Sequence, residues 1–214
     1  KQASDEFGKS VAISGDGNTA IVGARLEDAV VGSNTIWSTG AAYIFTWSGT
    51  TWSEQQKIQA SDKQGDDQFG QDVAISGDGN TVIVGAYRED TGATNAGAVY
   101  IFTRSGTTWS QQSKIQASDK QASDEFGNSV SISEDGNTAI VGAYREDPGG
   151  TTDAGAAYIF TWSETSSSWS EQQKIQASDK QAGDEFGGSV AISGDGDTAI
   201  VGKPGAAYIH RYNF

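Results

Sequence analysis

Four Asp-Gly loops recur along the chain and are its most conspicuous candidates for chemistry. They read SGDGNTAIVGA from Ser14, SGDGNTVIVGA from Ser76, SEDGNTAIVGA from Ser133 and SGDGDTAIVGK from Ser193. A row of acidic, Gly-rich loops could be a row of cation sites, because Ca²⁺ takes about six to eight oxygen ligands, several of them from carboxylates. The same residues suit tight hairpin turns, since Asp-Gly and Gly-Asn readily adopt positive φ angles. Whether these loops are cation sites or turns depends on which residues flank each Asp-Gly.

The other reactive side chains form no recognisable catalytic set. The chain has one His, His210, and no Cys, so a Ser-His-Asp triad would depend on that single imidazole. Among 28 acidic residues, a pair for glycoside hydrolysis is conceivable, but the sequence distinguishes no two of them. We therefore predict that the protein is not an enzyme, and a hydrolase is the weakest function class considered.

Charge and composition exclude some partners. Fourteen basic residues against 28 acidic ones give a formal net charge of −14. Such a surface repels phosphate backbones and anionic lipid, so we expect neither nucleic acid nor membranes as partners. No run of residues approaches the roughly 18 apolar residues that a membrane helix needs, which predicts no membrane insertion. Because the chain begins at Lys1 rather than Met, we expect a processed precursor or a fragment, located outside the cell or on its surface.

A repeat of roughly 60 residues positions all of these side chains. Phe-Gly recurs at Phe7, Phe69, Phe126 and Phe186, with spacings of 62, 57 and 60 residues. Each unit contains FGxSVAIS, DGNTAIVGA, a variable acidic loop, GAAYIFTWS and TWSEQQKIQASD, or close variants. The four constant segments have strand character and predict an antiparallel sheet joined by hairpins. Such a unit is typical of a β-propeller blade, and a two-sheet sandwich with internal duplication is the alternative.

The segments FGxSVAIS, TAIVGA and GAAYIFT resemble the FG-GAP repeat, the blade unit of integrin α-subunit propellers and of many bacterial and algal surface proteins. The two parts of that name stand here as Phe7-Gly8 and Val22-Gly23-Ala24, and the similarity covers essentially all 214 residues. The resemblance implies an all-β fold. It also implies a single propeller domain over residues 1–214, with repeat units at about 1–62, 63–119, 120–179 and 180–214. Blades of this family serve adhesion, sugar binding and scaffolding, so the fold alone does not choose a function.

The resemblance also bears on the Asp-Gly loops. In the calcium-binding form of the repeat this loop resembles DxDxDGxxD. With Asp16-Gly17 aligned on its DG, the other acidic positions fall on Ala12, Ser14 and Ala20. The sequence therefore favours turns and predicts no metal site and no cofactor. Weak calcium binding stays open at the acids before each Phe-Gly, which we interpret mainly as turn caps: Asp5, Glu6, Asp66, Asp67, Asp124, Glu125, Asp184 and Glu185.

The loop between the second and third predicted strands varies most and carries charge. In integrin-like propellers this loop lies on the ligand-binding face, so the resemblance implies an exposed polar rim that could bind a protein partner. The alternative is that Arg and carboxylates pair locally and only keep the rim soluble. Trp37 has no equivalent in the other units and is the best candidate for an exposed aromatic contact. The predicted rim comprises Arg25, Glu27, Asp28, Trp37, Tyr87, Arg88, Glu89, Asp90, Tyr144, Arg145, Glu146 and Asp147.

The other five Trp residues recur around the hairpin between the third and fourth strands, where we expect them to pack over the outer edge of the blade. The fourth strand of the first unit runs over residues 51–59. Alternation predicts that four side chains share one side of it, namely Trp52, Glu54, Gln56 and Ile58.

The last unit ends after its third strand. The four units supply 15 strands, where four complete blades need 16, so residues 206–214 are left as a sheet edge. An open apolar edge templates pairing with another chain, so we predict strand addition from a second copy or another partner. A trimmed fragment is the alternative. The edge residues are Tyr208, Ile209, Tyr212 and Phe214.

The sequence thus predicts a non-enzymatic extracellular or cell-surface interaction or scaffold module. It binds protein or self-assembles through its loops and its open blade edge. The alternative is a lectin-like propeller that binds a glycan through Trp37 and the Arg and Asp loops. Whether the four blades close by themselves or belong to a larger ring stays open.

Overall fold

A computed structural model describes residues 3–212 of the protein. Nearly all of these residues lie in β-strands or in the turns that join them. The strands form four antiparallel sheets that follow one another along the chain as the blades of a β-propeller. The predicted fold class is therefore confirmed.

The strand bounds follow the repeat. The first blade contains β1 (Phe7–Ile13), β2 (Thr19–Ala24), β5 (Ala41–Trp47) and β6 (Trp52–Ile58), with a separate hairpin of β3 (Ala29–Val31) and β4 (Asn34–Ile36). The second contains β7 (Val73–Ile75), β8 (Thr81–Ala86), β9 (Ala98–Ser105) and β10 (Thr108–Ile115). The third contains β11 (Ser129–Ile132), β12 (Thr138–Ala143), β13 (Ala156–Ser163) and β14 (Ser168–Ile175). The fourth contains β15 (Ser189–Ile192), β16 (Thr198–Lys203) and β17 (Ala206–Arg211). Short 3₁₀ turns lie at Ala3–Asp5 and Pro148–Gly150.

The apolar core lies between consecutive blades. We call the face of a sheet that carries the Phe of Phe-Gly its leading face and the opposite face its trailing face. Ile21 and Ile44 on the trailing face of the first blade pack against Phe69, Val73 and Tyr100 on the leading face of the second. Equivalent clusters join the second blade to the third and the third to the fourth. Because both faces of the middle sheets are buried at their centres, the central strands β8, β9, β12 and β13 are largely apolar without alternation.

Glycine allows the blades to approach closely at each junction. A Cβ atom on Gly23 would lie 2.2 Å from the carbonyl oxygen of Gly70 in the next blade, and the same contact would be 1.9 Å for Gly85 and for Gly142. No side chain fits there. The Val-Gly-Ala segment of each repeat therefore carries Gly because backbone meets backbone at that point.

A β-bulge in the outer strand overturns one sequence prediction. In β6, Glu54 pairs with Phe45 and Gln56 pairs with Ile44, so Gln55 is an extra residue. The bulge interrupts the alternation. Trp52 and Glu54 therefore share the side of Phe45, and the prediction that Gln56 and Ile58 lie on the same side as them was wrong. The outer strands β10 and β14 have the same register shift.

Candidate functional site

The variable loops and the segments before each Phe-Gly form one continuous surface, which we call the loop rim. The variable loop of one blade accepts a backbone hydrogen bond from the Phe of the next blade. These bonds run from Phe69 N to Thr39 O at 3.1 Å, from Phe126 N to Ala96 O at 3.0 Å and from Phe186 N to Ala154 O at 3.0 Å. The blades thus hold the loops in a fixed order around the rim.

Each Arg of the rim pairs with an acid that precedes the Phe-Gly of its own blade. The pairs are Arg25–Glu6 at 2.7 Å, Arg88–Asp66 at 2.9 Å and Arg145–Glu125 at 3.5 Å. The hydrogen bond and charge of Glu6 raise the pKa of Arg25. These Arg residues therefore do form local ion pairs with acids, as one of the two interpretations of the sequence predicted. The side chains of Arg88 and Arg145 are nevertheless 38% and 47% exposed, so a partner can reach them.

The Asp residues of the rim hold the loops in shape. Each accepts a backbone N–H from further along its own loop, as expected of Asp in a turn. The bonds are Asp28 to Ser38 N at 2.8 Å, Asp90 to Asn95 N at 2.7 Å and Asp147 to Asp153 N at 2.7 Å.

Four predicted rim residues are buried. Glu89 and Glu146 are each only 1% exposed and Glu27 is 9% exposed, while Tyr87 is 7% exposed. The three Glu side chains turn inward because each meets a Lys ammonium from the fourth strand of its blade. Lys114 Nζ lies 2.8 Å from Glu89, Lys174 Nζ lies 2.6 Å from Glu146, and Lys57 contacts Glu27. The expectation that the whole of each Tyr-Arg-Glu-Asp segment is exposed was wrong.

Beneath the rim lies a polar cluster that the sequence analysis missed. In the second blade, Lys114 donates to Glu89 and, at 2.7 Å, to Asp62, while the Tyr100 hydroxyl donates to Asp62 at 2.8 Å. Burial lowers the pKa of Lys114, but the hydrogen bonds to Asp62 and Glu89 outweigh burial and leave that pKa above its ordinary value. The third blade repeats the cluster with Lys174, Glu146, Asp119 and Tyr158. The signal available in the sequence was the recurrence of Tyr in YIF, of Lys before the last Ile of the fourth strand and of Asp in ASD.

The fourth blade builds the same cluster with a Lys from a different strand. Lys203, on β16, stands where the other three blades have a buried Ala, and its Nζ lies 2.8 Å from Asp184. It also lies 3.4 Å from Asp179, which accepts a hydrogen bond from the Tyr208 hydroxyl. Lys203 therefore supplies the ammonium that β10 and β14 supply in the preceding blades.

In the second, third and fourth units the Asp two residues before the Phe of Phe-Gly acts as a turn cap, as predicted, whereas Glu6, Asp66 and Glu125 pair with the rim Arg residues. Asp67 accepts the N–H of Gln64 at 2.5 Å and Asp124 accepts that of Gln121 at 2.6 Å. Burial, together with the nearby carboxylates, raises the pKa of Asp67 to about 7 even though the Gln64 hydrogen bond lowers it. The pKa of Asp124 rises to about 6 for the same reasons. These caps are the most strongly shifted carboxyls of the rim.

The model of the FG-GAP repeat matches four stretches of the chain, residues 1–45, 52–102, 109–160 and 169–210. These stretches include the Phe-Gly segments, the Val-Gly-Ala strands and the Tyr-bearing third strands that build the blades. The chain belongs to the FG-GAP repeat family. No curated protein matches it. Its FG-GAP propeller fold supports a repeat-domain protein-interaction module. None of the helices in residues 3–212 has the length and apolar character to cross a membrane.

The Asp-Gly loops of these FG-GAP repeats are tight turns, and their carboxylates are engaged within the turn. Asp16 accepts the Ser14 hydroxyl at 2.6 Å and the Asn18 N–H at 2.9 Å, and Gly17 has a φ of 72°. The hydrogen bond from Ser14 and the one from Asn18 lower the pKa of Asp16 to about 2. Asp78, Asp135 and Asp195 make the same hydroxyl and N–H contacts. In residues 3–212, His, Cys, Asp and Glu side chains form no group of three or more that could hold a metal ion.

The Trp residues follow the prediction only in part, because Trp109 is 3% exposed whereas Trp47 and Trp52 of the recurrent set are 38% and 44% exposed. Trp37 follows the β3–β4 hairpin and is 70% exposed. The β3–β4 hairpin itself was not predicted, because its loop looked irregular. Trp47 and Trp52 pack 5.7 Å apart on their hairpin, and Trp109 is buried against the first blade.

The open edge differs in part from its prediction. The fourth sheet ends at β17, and no strand within residues 3–212 pairs with its outer side. Ile209 is 72% exposed there. Tyr208 and Tyr212 were expected on the edge, but both pack against the third blade, because alternation turns them to the leading face. Phe214 lies outside the described residues.

Proposed function

We propose that this protein is a non-enzymatic extracellular or cell-surface interaction module that binds a partner protein by accepting a strand at β17. The observation that supports the proposal is the contrast between β17 and its equivalents. An outer strand covers β5, β9 and β13, whereas β17 ends its sheet in the described chain. Backbone groups along such an edge give affinity to an extended segment, and the flanking side chains give specificity.

The polar cluster of the fourth blade determines which side chain the added strand should have at the position of Lys174. In the second and third blades the outer strand brings a Lys to the cluster, but in the fourth blade Lys203 already occupies that place. A second ammonium there would meet a like charge in a partly buried position. The preferred strand therefore resembles β14 without its Lys.

Two peptides test this proposal directly. One copies Ser168–Ile175 (SWSEQQKI), and the other carries the Lys174→Ala change. We expect both to bind the purified chain in fluorescence anisotropy, the Ala peptide at least several-fold more tightly, and a shuffled peptide not to bind. If neither peptide binds, β17 is not a strand acceptor.

The loop rim offers a further surface for the same protein partner. Arg88 and Arg145 project from loops whose shape is held by Asp90 and Asp147, so the two guanidinium groups have defined positions. Variable, charged loops on a rigid scaffold are common recognition surfaces. Arg is suited to this use because its planar donors match carboxylates in two-pronged hydrogen bonds.

A carbohydrate ligand is the second candidate, and one observation favours it. A cleft of about 160 Å³ opens between the second and third blades, lined by Trp162, Trp169, Gln112, Asn137 and Glu164 among others. Aromatic faces beside amide and carboxylate groups can stack on a sugar ring and bond its hydroxyls. At the preceding junction Arg104 replaces Trp162 and bonds Asn80 at 2.8 Å. A glycan array with the parent and Trp162→Ala tests this candidate; we expect a glycan signal that the substitution abolishes.

A further inference from the structure

The leading face of the first blade is exposed among the described residues. Phe7 is 41% exposed, and Val11 and Ile13 are 66% and 58% exposed. Phe7 still makes the ring contacts of its repeat, with its ring centre 5.5 Å from that of Tyr43 and 6.3 Å from that of Phe45, so the blade itself is formed. Among residues 3–212, no other blade packs on this face. At the position of Phe7 the other three blades have fully buried rings, Phe69, Phe126 and Phe186.

The trailing face of the fourth blade is exposed in the complementary way. Ile200 is 42% exposed and Ile209 is 72% exposed. A cleft of about 170 Å³, lined by Val190, Ala191 and Ile200 among others, opens on this face. In the first three blades the equivalent side chains are all 0% exposed: Ile21, Ile83, Ile140, Ile44, Ile101 and Ile159.

The backbone of the first and fourth blades has the shape needed for the glycine contact that joins the other blades. A Cβ atom on Gly202 would have no atom of the described chain nearer than 3.6 Å, although its equivalents meet a glycine carbonyl at about 2 Å. Gly8 is the equivalent of those carbonyl partners, and a Cβ built on it meets none of the described atoms within 4 Å. The chain thus contains both halves of a fourth glycine contact, one at each end.

A hydrogen-bond position repeats in the same way. The Val73 N–H donates to the Ser10 hydroxyl of the preceding blade at 3.1 Å, and the Val190 N–H donates to Ser129 at 3.1 Å. At the two ends of the described chain, Val11 and Ser189 occupy these donor and acceptor positions. The end faces therefore match in apolar side chains, in backbone shape and in polar groups.

We propose that the trailing face of the fourth blade binds the leading face of the first blade of a second copy of this chain. A second copy fits the trailing face of the fourth blade because the leading face of its first blade has the same repeat sequence as the leading faces that pack at the three junctions inside the molecule. The contact is heterologous, so each copy uses two different surfaces and the assembly forms a closed ring or an open filament according to the rotation between copies. This contact uses side chains of the trailing face, including Ile209, whereas the strand addition uses the backbone groups along the outer side of β17.

Gly202→Ala is the sharpest test. Within one chain the added methyl group has room, and the φ of Gly202 lies outside the left-handed region, so we expect an unchanged melting temperature in dilute solution. Between copies the methyl group would strike the Gly8 carbonyl, so concentration-dependent association, measured by sedimentation velocity, should weaken at least tenfold. The matched control is Gly85→Ala, whose methyl group meets a carbonyl inside the chain and which should lower the melting temperature.

A mixing experiment fixes the geometry. Val11→Glu blocks the leading face, and Ile200→Glu blocks the trailing face; both side chains are exposed, so both variants should fold. We expect each variant alone to be monomeric and an equimolar mixture to form a one-to-one dimer, because each supplies the face that the other lacks. A parent chain that stays monomeric at its highest soluble concentration overturns the proposal. So does a parent that associates while the mixed variants do not, since association then uses another surface.

Discussion

Lys203 Nζ lies 5.5 Å from the centre of the Tyr208 ring, the same placement that Lys114 Nζ has over Tyr100 at 5.4 Å, although the two lysines come from different strands. The fourth blade thus keeps the ammonium of the cluster without an outer strand. The blade therefore keeps an ammonium group at this position even when the Lys that provides it comes from a different strand.

The first prediction concerns this exchange. Lys203→Ala restores the residue of the other three blades and leaves the ammonium position vacant. We expect the preference between the two β14 peptides to reverse, so that the peptide carrying Lys binds more tightly than the Ala peptide. Fluorescence anisotropy with both peptides measures the reversal. An unchanged preference would show that Lys203 does not occupy the place of Lys174.

A second prediction concerns the buried partner of Lys114. Glu89→Ala removes a carboxylate whose side chain is 2% exposed and leaves the ammonium partly buried without it. Lys114 keeps Asp62 as a partner at 2.7 Å, so we expect a loss of about 1.5 to 3 kcal/mol of unfolding free energy, the usual value of a hydrogen bond between charged groups. Urea unfolding measures the loss. As the control in the same loop, Arg88→Ala should change the free energy by about 0 to 1 kcal/mol, and equal effects for the two variants would contradict the assignment.

Stability should depend on pH through Asp67 and Asp124. Their pKa values of about 7 and about 6 in the folded chain exceed the ordinary Asp value of about 3.9. Between those values the folded state binds more protons than the unfolded state, so the free energy of unfolding falls as the pH rises from about 4 to about 7. We expect a higher melting temperature near pH 5 than near pH 7.5.

The control for this pH dependence is the double variant Asp67→Asn and Asp124→Asn. Each Asn keeps an oxygen that can accept the N–H of Gln64 or Gln121, but it does not titrate. The variant should show a smaller difference in melting temperature between the two pH values. A difference as large as that of the parent would assign the effect to other groups.

Calcium removal should leave the fold unchanged. The Asp-Gly carboxylates already accept hydrogen bonds inside their turns, and three of the four acids of the calcium-binding pattern are replaced in the first loop. A ligand that binds only the folded state would stabilise it, so chelation of a bound ion would lower the melting temperature. We expect scanning calorimetry with and without a chelator to give the same value. A marked drop would mean that a cation is held elsewhere, for example by the acids before Phe-Gly.

The last prediction concerns recognition at the loop rim. Arg88→Ala and Arg145→Ala together should change stability little, because exposed ion pairs contribute about 0 to 1 kcal/mol each. The double variant should still bind a protein partner of the rim at least tenfold more weakly, as measured by surface plasmon resonance. Binding that survives both substitutions would remove the rim from the interaction, whatever happens at β17.

The repeat made the blades predictable, because the residues that build them act locally or through a fixed period. Phe69 and its equivalents, the glycines of Val-Gly-Ala and the Asp-Gly turns all recur at one position of every unit. The missing outer strand of the fourth blade followed from the same comparison of units. The burial of Trp109 followed from the repetition of the hairpin Trp residues, but the exposure of Trp47 and Trp52 did not, because among residues 3–212 no blade covers the side of the first sheet on which they lie.

The polar interior was not predictable in the same way. Glu89 looked exposed because charged loop residues usually are, and its partner Lys114 lies in another strand of the blade. The bulge at Gln55 was hidden because residues 54–57 are all polar, so the sequence does not show where the alternation of sides is interrupted. Lys203 replaces the Ala of Val-Gly-Ala in the fourth unit, and its role depends on its distances to Tyr208 and Asp184, which only the folded chain defines.

The glycine contact between Gly23 and Gly70 has a consequence for how such a chain can change over generations. The contact joins main chain to main chain, so most side-chain substitutions elsewhere in either unit leave it unchanged. Duplication or deletion of a whole unit between equivalent codons would recreate the same junction without any compensating mutation. A single methyl group at one of these glycines would instead separate two blades. Gain and loss of entire units, together with drift in the loops, is therefore the accessible route of divergence for this architecture.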